Sequence, residues 1–135
     1  MADYEFTLPL VVWLPMKRVK DKRFSVDINF IRGANRFDYN KAKIQYKHMI
    51  ADQFDGLPKN VGRITVHYEY YAAINNSPDL DNFVGGAKKF FQDAMVYHGL
   101  IEDDNVNFIG FNSERYCGKD GENPRIVAKV NVLDE

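Results

Sequence analysis

The chain has 135 residues, of which 45% are hydrophobic and 14% aromatic, so it fits one globular domain and excludes a disordered or low-complexity protein. Its net charge of −1 argues against a uniformly basic nucleic-acid binder. The single cysteine, Cys117, excludes an internal disulfide, and the short apolar run from Leu8 to Leu14 has neither the basic flank of a secretory signal nor the length of a membrane span. We therefore expect a cytoplasmic protein without a membrane partner.

The first third of the chain predicts two strands joined by a basic loop. Residues 6–14 are β-branched and aromatic, which is typical of a strand. Residues 24–31 alternate apolar and polar side chains, which predicts a second strand. The segment 17–47, which begins in the loop, holds ten Lys or Arg and three Asp, a net +7 that leaves −8 for the rest of the chain. This asymmetry favours a basic face for a polyanion, although a solvated basic surface would give the same count.

The remaining patterns predict two helices and three further strands. Helical periodicity runs from about Tyr39 to Phe54, with Asp38 or Asn40 as its cap, and returns after residue 82 until Gly99. Alternation predicts strands over 61–74, 107–116 and 125–133. The order β-β-α-β-α-β-β indicates an α+β domain with a mixed or antiparallel sheet and both helices packed on it.

Two acidic motifs flank the second helix, PDLDN at 78–82 and EDDN at 102–105. Either motif alone is typical of a helix cap or a polar turn. However, one cap does not need both Asp79 and Asp81, and adjacent carboxylates repel one another unless a cation neutralises them. Oxygen ligands of this kind favour Mg²⁺, with Mn²⁺ as a possible substitute. The helix between the motifs carries Lys88 and Lys89, either of which could contact a phosphate.

In order, DLDN, the lysine-bearing helix KKFFQDAMVYHG and LIEDDNV resemble the RusA family of Holliday-junction resolvases, which phages and prophages commonly encode. The resemblance covers residues 78–106 and implies that the whole chain is one RusA-like domain. It implies a homodimeric, Mg²⁺-dependent endonuclease that cuts branched DNA, such as four-way junctions, by paired symmetric nicks. The implied carboxylates are Asp79, Asp81 and Asp104. The family's lysine position is occupied by Gly85, so Lys89, or Lys88 as second choice, is expected to take that role.

The basic segment is expected to follow DNA phosphates. Its candidate contacts are Lys17, Arg18, Lys20, Lys22, Arg23, Arg32 and Arg36. Two rival functions stay open, a metal-dependent nucleotide phosphohydrolase and a non-catalytic DNA-binding module. A resolvase site of this type predicts that the three aspartates converge around one or two cations.

Overall fold

The computed structural model describes residues 2–74 and 79–133. It has an α+β fold, as predicted, in which a four-stranded mixed sheet and a separate two-stranded hairpin are packed with helices. Within the described ranges, no helix is both long enough and apolar enough to cross a membrane. The strands are β1 (Tyr4–Leu8), β2 (Val11–Leu14), β3 (Lys22–Ser25), β4 (Ile64–Ala72), β5 (Ile109–Lys119) and β6 (Arg125–Val132). The helices are α1 (Ile28–Gly33), α2 (Arg36–Met49) and α3 (Leu80–Tyr97), and a 3₁₀ turn covers Ala51–Phe54.

The strand order of the main sheet is β1-β6-β4-β5. Strand β5 runs parallel to β4, whereas β6 is antiparallel to both of its neighbours. The parallel pair is connected through α3, which therefore runs back along the sheet in the opposite direction. As a result, α3 begins at the end of the sheet where β4 finishes, and it ends where β5 starts.

The core lies between one face of this sheet and the helices. Alternate β4 residues are buried, in agreement with the predicted face, and Tyr68 is fully buried among them. Two adjacent aromatic residues of α3 pack in different directions, one against the sheet and the other against α2. Phe91 contacts Phe6 and Tyr68 on the sheet, while Phe90 contacts Tyr46 on α2. The apolar stripe of α3 thus joins the sheet to the second helix layer.

Three local predictions were wrong. Residues 6–14 form two strands rather than one, because the sheet pairing stops before Pro9, which has no N–H to donate. The alternating segment 24–31 leaves the strand after Ser25 and becomes α1, whose cap is Asp27. Helix α2 starts earlier than predicted, and Asn35 caps it in place of Asp38 or Asn40.

Candidate functional site

The first acidic motif lies at the N-terminal end of α3. Asp79 is the cap residue, and its Oδ1 accepts a hydrogen bond of 3.4 Å from the backbone N–H of Asn82. Asp81 follows in the first turn, and both aspartates are exposed. The positive end of an 18-residue helix dipole favours carboxylates at this position. The two carboxylates line one open cleft of about 380 Å³.

The opposite wall of this cleft is α1. Asn29 and Arg32 line it together with Asn82 and Gly85 of α3. The Asn82 side chain does not cap its own helix, because Asp79 is the cap residue. Instead its Oδ1 accepts a hydrogen bond of 2.8 Å from the backbone N–H of Asn29. The side chain next to the acidic pair therefore fixes the start of α1 against α3.

The two consecutive glycines of α3 explain why α1 can approach so closely. A Cβ placed on Gly86 would lie 2.6 Å from both the Val26 carbonyl oxygen and the Asp27 Cα. A Cβ on Gly85 would lie 3.0 Å from a side-chain carbon of Ile28. Only a residue without a side chain allows this backbone contact, which outweighs the helix propensity lost at glycine. The glycines hold the chain just before α1 at the acidic end of α3.

The cation beside the aspartates is Arg32, in the last turn of α1. Neither lysine of α3 lines the cleft. Because α3 is regular from residue 80 to 97, Lys88 shares the helix face of Asp81 about two turns away, whereas Lys89 is rotated by roughly 80°. The Nζ of Lys88 lies 5.7 Å from the centre of the Tyr68 ring, and Lys89 is exposed. On this regular helix, Lys88 therefore lies closer than Lys89 to the face that carries Asp81.

The second acidic motif forms a self-contained turn. Asp103 Oδ1 accepts from the backbone N–H of Asp104 at 2.7 Å, and Asp103 Oδ2 accepts from the Asn105 side chain at 3.0 Å. Asn105 Oδ1 accepts in turn from the N–H of Asn107 at 2.9 Å. Among these bonds of the described turn, none uses the carboxylate of Asp104, which is exposed. The side chains of Asp103 and Asn105 therefore stabilise a polar turn, the alternative role that the sequence predicted for this motif.

The three aspartates do not converge within one chain, so this expectation was wrong. Asp79 and Asp81 lie where β4 ends, and Asp104 lies just before β5 begins beside the start of β4. The 18 residues of α3 separate the two ends by about 27 Å. Residues 2–74 and 79–133 contain no group of three acidic, His or Cys side chains that could hold a metal ion. Of the three aspartates, the cleft therefore contains Asp79 and Asp81.

A second cleft lies beside α1 and contains one of the predicted basic contacts. Lys22 lines this cleft with Asn35 and Asp38, and it forms an ion pair with Asp38 that holds the pKa of that carboxyl below its ordinary value. Asn29 lines both clefts, so they are neighbours across α1. The other candidates are exposed, with Lys17, Arg18 and Lys20 in the loop between β2 and β3, Arg23 on β3 and Arg36 in the first turn of α2.

Tyr70, a buried residue of β4, lies beneath the first turn of α3. Burial, with smaller contributions from the nearby Tyr116 and Asp27, raises the pKa of Tyr70 to about 12. Its ring stacks on Phe83 with 5.0 Å between the ring centres. Tyr70 thus packs below the residues that follow the DLDN motif in α3.

Asn29 and Gly86 shape the cleft, and the sequence did not identify them as site residues. A signal existed for α1, because Asp27 stands three residues before Phe30, whose N–H it accepts at 2.8 Å. The strand-like alternation of the same residues masked that signal. Comparison of the sequence with family models and with curated proteins finds no match.

Proposed function

We propose that this protein is a divalent-metal-dependent endodeoxyribonuclease that cuts branched DNA. The observation that carries the proposal is the cleft in which Asp79, Asp81 and Arg32 meet at the N-terminal end of α3. It combines carboxylate ligands for a hard cation with a guanidinium suited to phosphate oxygens. The ordered resemblance to RusA resolvases over residues 78–106 supports DNA as the substrate.

The surroundings of the cleft support a polyanionic substrate. A helix N-terminus favours a bound phosphate through its dipole. The exposed cations of the β2–β3 loop can bind the phosphates that flank the cut. These cations would therefore stabilise a substrate phosphate. A bound metal would neutralise the acidic pair, so the pair would not repel the phosphate.

The donor set fits Mg²⁺ or Mn²⁺, because Asp79 and Asp81 offer only oxygen ligands. When bound, such a cation supplies charge stabilisation for the scissile phosphate and lowers the pKa of a water molecule. Asp79 and Asp81 would hold it, and Arg32 would donate hydrogen bonds to a phosphate oxygen. Asn82 keeps α1, and with it Arg32, in position through its bond to the Asn29 backbone.

The test is cleavage of a synthetic four-way DNA junction with and without Mg²⁺, using wild-type protein and the Asp81→Asn variant. We expect symmetric nicks that need the metal and are lost in the variant. A linear duplex of the same sequence measures the preference for branched DNA.

Other outcomes separate the rival functions. Hydrolysis of nucleotides in place of DNA would support a phosphohydrolase that uses the same carboxylates. Junction binding that Asp81→Asn leaves intact, without any cleavage by the wild type, would support a DNA-binding module. Either result contradicts the proposal.

A further inference from the structure

The main sheet has a second face, opposite to the one that packs on α3. Alternate residues of β4 are buried on the α3 side, and the residues between them, which include His67 and Glu69, lie on the second face. Over residues 65–70, β4 pairs with residues 111–116 of β5 in continuous register, so Ser113 lies beside His67. The pairing thus brings a serine, a histidine and a glutamate together on this face.

These side chains form a chain of polar contacts. The Ser113 Oγ lies 2.7 Å from His67 Nδ1, within hydrogen-bond distance. On the other side of the ring, His67 Nε2 lies 3.8 Å from Glu69 Oε2. The other carboxylate oxygen, Glu69 Oε1, forms an ion pair of 3.0 Å with Lys129 Nζ on β6. Each ring nitrogen and each carboxylate oxygen therefore faces a different partner.

An imidazole between a hydroxyl and a carboxylate is the arrangement that activates a serine for nucleophilic attack. A neutral imidazole has one N–H, and the Glu69 carboxylate favours the tautomer of His67 with that proton on Nε2. Nδ1 then accepts from the Ser113 hydroxyl. The His67 side chain is 36% exposed and that of Glu69 is 14% exposed, so solvent reaches the base while the acid behind it is largely covered.

The neighbours of Ser113 on β5 add two features that a reaction at a carbonyl needs. Phe111 and Arg115 lie two residues away on the same face, one on each side. Phe111 is 64% exposed and offers an apolar surface to an acyl group. Arg115 is exposed, and its guanidinium group is suited to stabilising the negative oxygen that forms when a carbonyl is attacked.

We propose that Ser113 is a nucleophile, activated by His67, that hydrolyses small activated carboxylic esters. Ser113 Oγ forms a bond to the acyl carbon, and its proton passes to His67 Nδ1. The bond from this carbon to the leaving oxygen breaks, and that oxygen takes the proton from His67. Water then attacks the acyl group and gives a proton to His67, which returns it to Ser113 Oγ as the carboxylic acid leaves. Glu69 orients the ring and is a positioning residue.

The open face of the sheet limits the class of substrate. A ligand on such a surface buries little area, so little binding energy is available to lower the barrier. The substrate is therefore an ester with a weakly basic leaving group, such as a phenol, and an acyl group small enough to lie against Phe111. Because this face lies across the sheet from α3, the inference is independent of the proposed DNA cleavage.

Covalent labelling with diisopropyl fluorophosphate tests the nucleophile. Ser113 Oγ would form a bond to phosphorus, fluoride would leave, and the hydroxyl proton would pass through His67 to water. We expect a single adduct in the intact mass, which peptide mapping places on Ser113. Ser113→Ala should abolish the adduct, and His67→Gln should slow its formation by about 10²-fold or more. Labelling no faster than that of urea-unfolded wild type, or equal labelling of Ser113→Ala, would overturn the proposal.

Hydrolysis of p-nitrophenyl acetate tests whether the residues act as a unit. We expect Ser113→Ala and His67→Gln each to lower kcat by about 10²-fold or more. The double variant should lose no more than either single variant, because losses within one catalytic unit are not additive. His48→Gln is the matched control, since this exposed histidine of α2 should not affect the rate. Multiplying losses in the double variant, or equal losses in His48→Gln and His67→Gln, would overturn the proposal.

The role of Glu69 is tested by separating kcat from KM. Glu69→Gln should lower kcat for p-nitrophenyl acetate and leave KM unchanged, because it alters the orientation of His67 and not the contacts of the ester. Circular dichroism checks that the variant is folded. An unchanged kcat in the folded variant would overturn the positioning role.

Discussion

The two acidic motifs at the ends of α3 resemble each other in composition and differ in their surroundings. At the N-terminal end, Asn82 and Gly86 attach the motif to α1, and Arg32 lies in the same cleft. At the C-terminal end, the hydrogen bonds of the Asp103 and Asn105 side chains that the described residues show stay within residues 103–107. The comparison teaches that acidic composition does not define a site. The candidate site is defined by the neighbouring helix α1, which forms the opposite wall of the cleft and carries Arg32.

The largest expected difference between the two ends is in catalysis. We expect Asp81→Asn to lower junction cleavage by at least about 10²-fold, because the proposed function assigns this carboxylate to the metal. The matched change Asp103→Asn should have little effect on cleavage, since Asn can still accept from the Asp104 N–H and only the bond from the Asn105 side chain is lost. Initial cleavage rates at saturating Mg²⁺ measure both. Equal losses of cleavage rate in the two variants would show that both acidic motifs contribute alike to cleavage, which would contradict this expectation.

The next effect concerns stability at the N-terminal end. Gly86→Ala forces a methyl group against the backbone of residues 26 and 27, and we expect the free energy of unfolding to fall by about 1–3 kcal/mol. Gly33→Ala is the control, because a Cβ there meets no atom within 4 Å. Urea denaturation followed by circular dichroism compares the two variants. A Gly86→Ala protein as stable as the control would mean that α1 does not depend on close contact with α3.

A smaller effect is expected at Asn82. Replacing it with Ala leaves the Asn29 N–H without its partner, which should cost about 1 kcal/mol of stability. Amide hydrogen exchange should accelerate at Asn29 more than in the sheet, because the loss is local to α1. The counterpart Asp103→Ala should alter exchange only within residues 104–107. Uniform acceleration across both regions would indicate general destabilisation in place of a local attachment.

The smallest effect is a pH dependence at the N-terminal end. The folded pKa of Tyr70, about 12, lies above the ordinary value of 10, so folding favours the neutral phenol. Its contribution is complete below pH 10 and is lost as the pH rises towards 12. Melting temperatures of wild type and Tyr70→Phe should therefore converge or cross over this interval. If the melting temperatures of the two proteins change with pH in parallel, Tyr70 does not contribute to the pH dependence of stability. Tyr46 and Tyr68 are present in both proteins, so they cannot cause a difference between them.

Much of the fold could be predicted because strong periodicity matches burial. The alternation in β4 and the apolar stripe of α3 predicted buried faces that the structure confirms. Helix α1 could not be predicted in the same way, because FSVDINFI alternates like a strand. Its identity depends on Asp27 accepting the Phe30 N–H and on the space that Gly86 leaves, and the second of these is a tertiary contact.

Only part of the candidate site could be predicted from the sequence. Asp79 and Asp81 were identified, and they share one cleft. The position of Asp104 relative to them depends on the parallel pairing of β4 with β5, which sets the two motifs at opposite ends of the sheet. Arg32 was assigned to DNA contacts alone, because its place beside the aspartates arises from a contact between α1 and α3 that no local pattern encodes.

The position of β6 in the sheet has a consequence for biosynthesis. This strand follows all the other elements in the chain, yet it lies between β1 and β4 and pairs with both. While residues 125–132 are still inside the ribosome, β1 cannot join the sheet and one edge of β4 stays open. Nascent chains would then expose two unpaired strands until late in synthesis, which invites aggregation and delays folding because the closing contacts are distant in sequence. Any pause that holds residues 125–132 inside the ribosome should therefore lower the yield of folded protein.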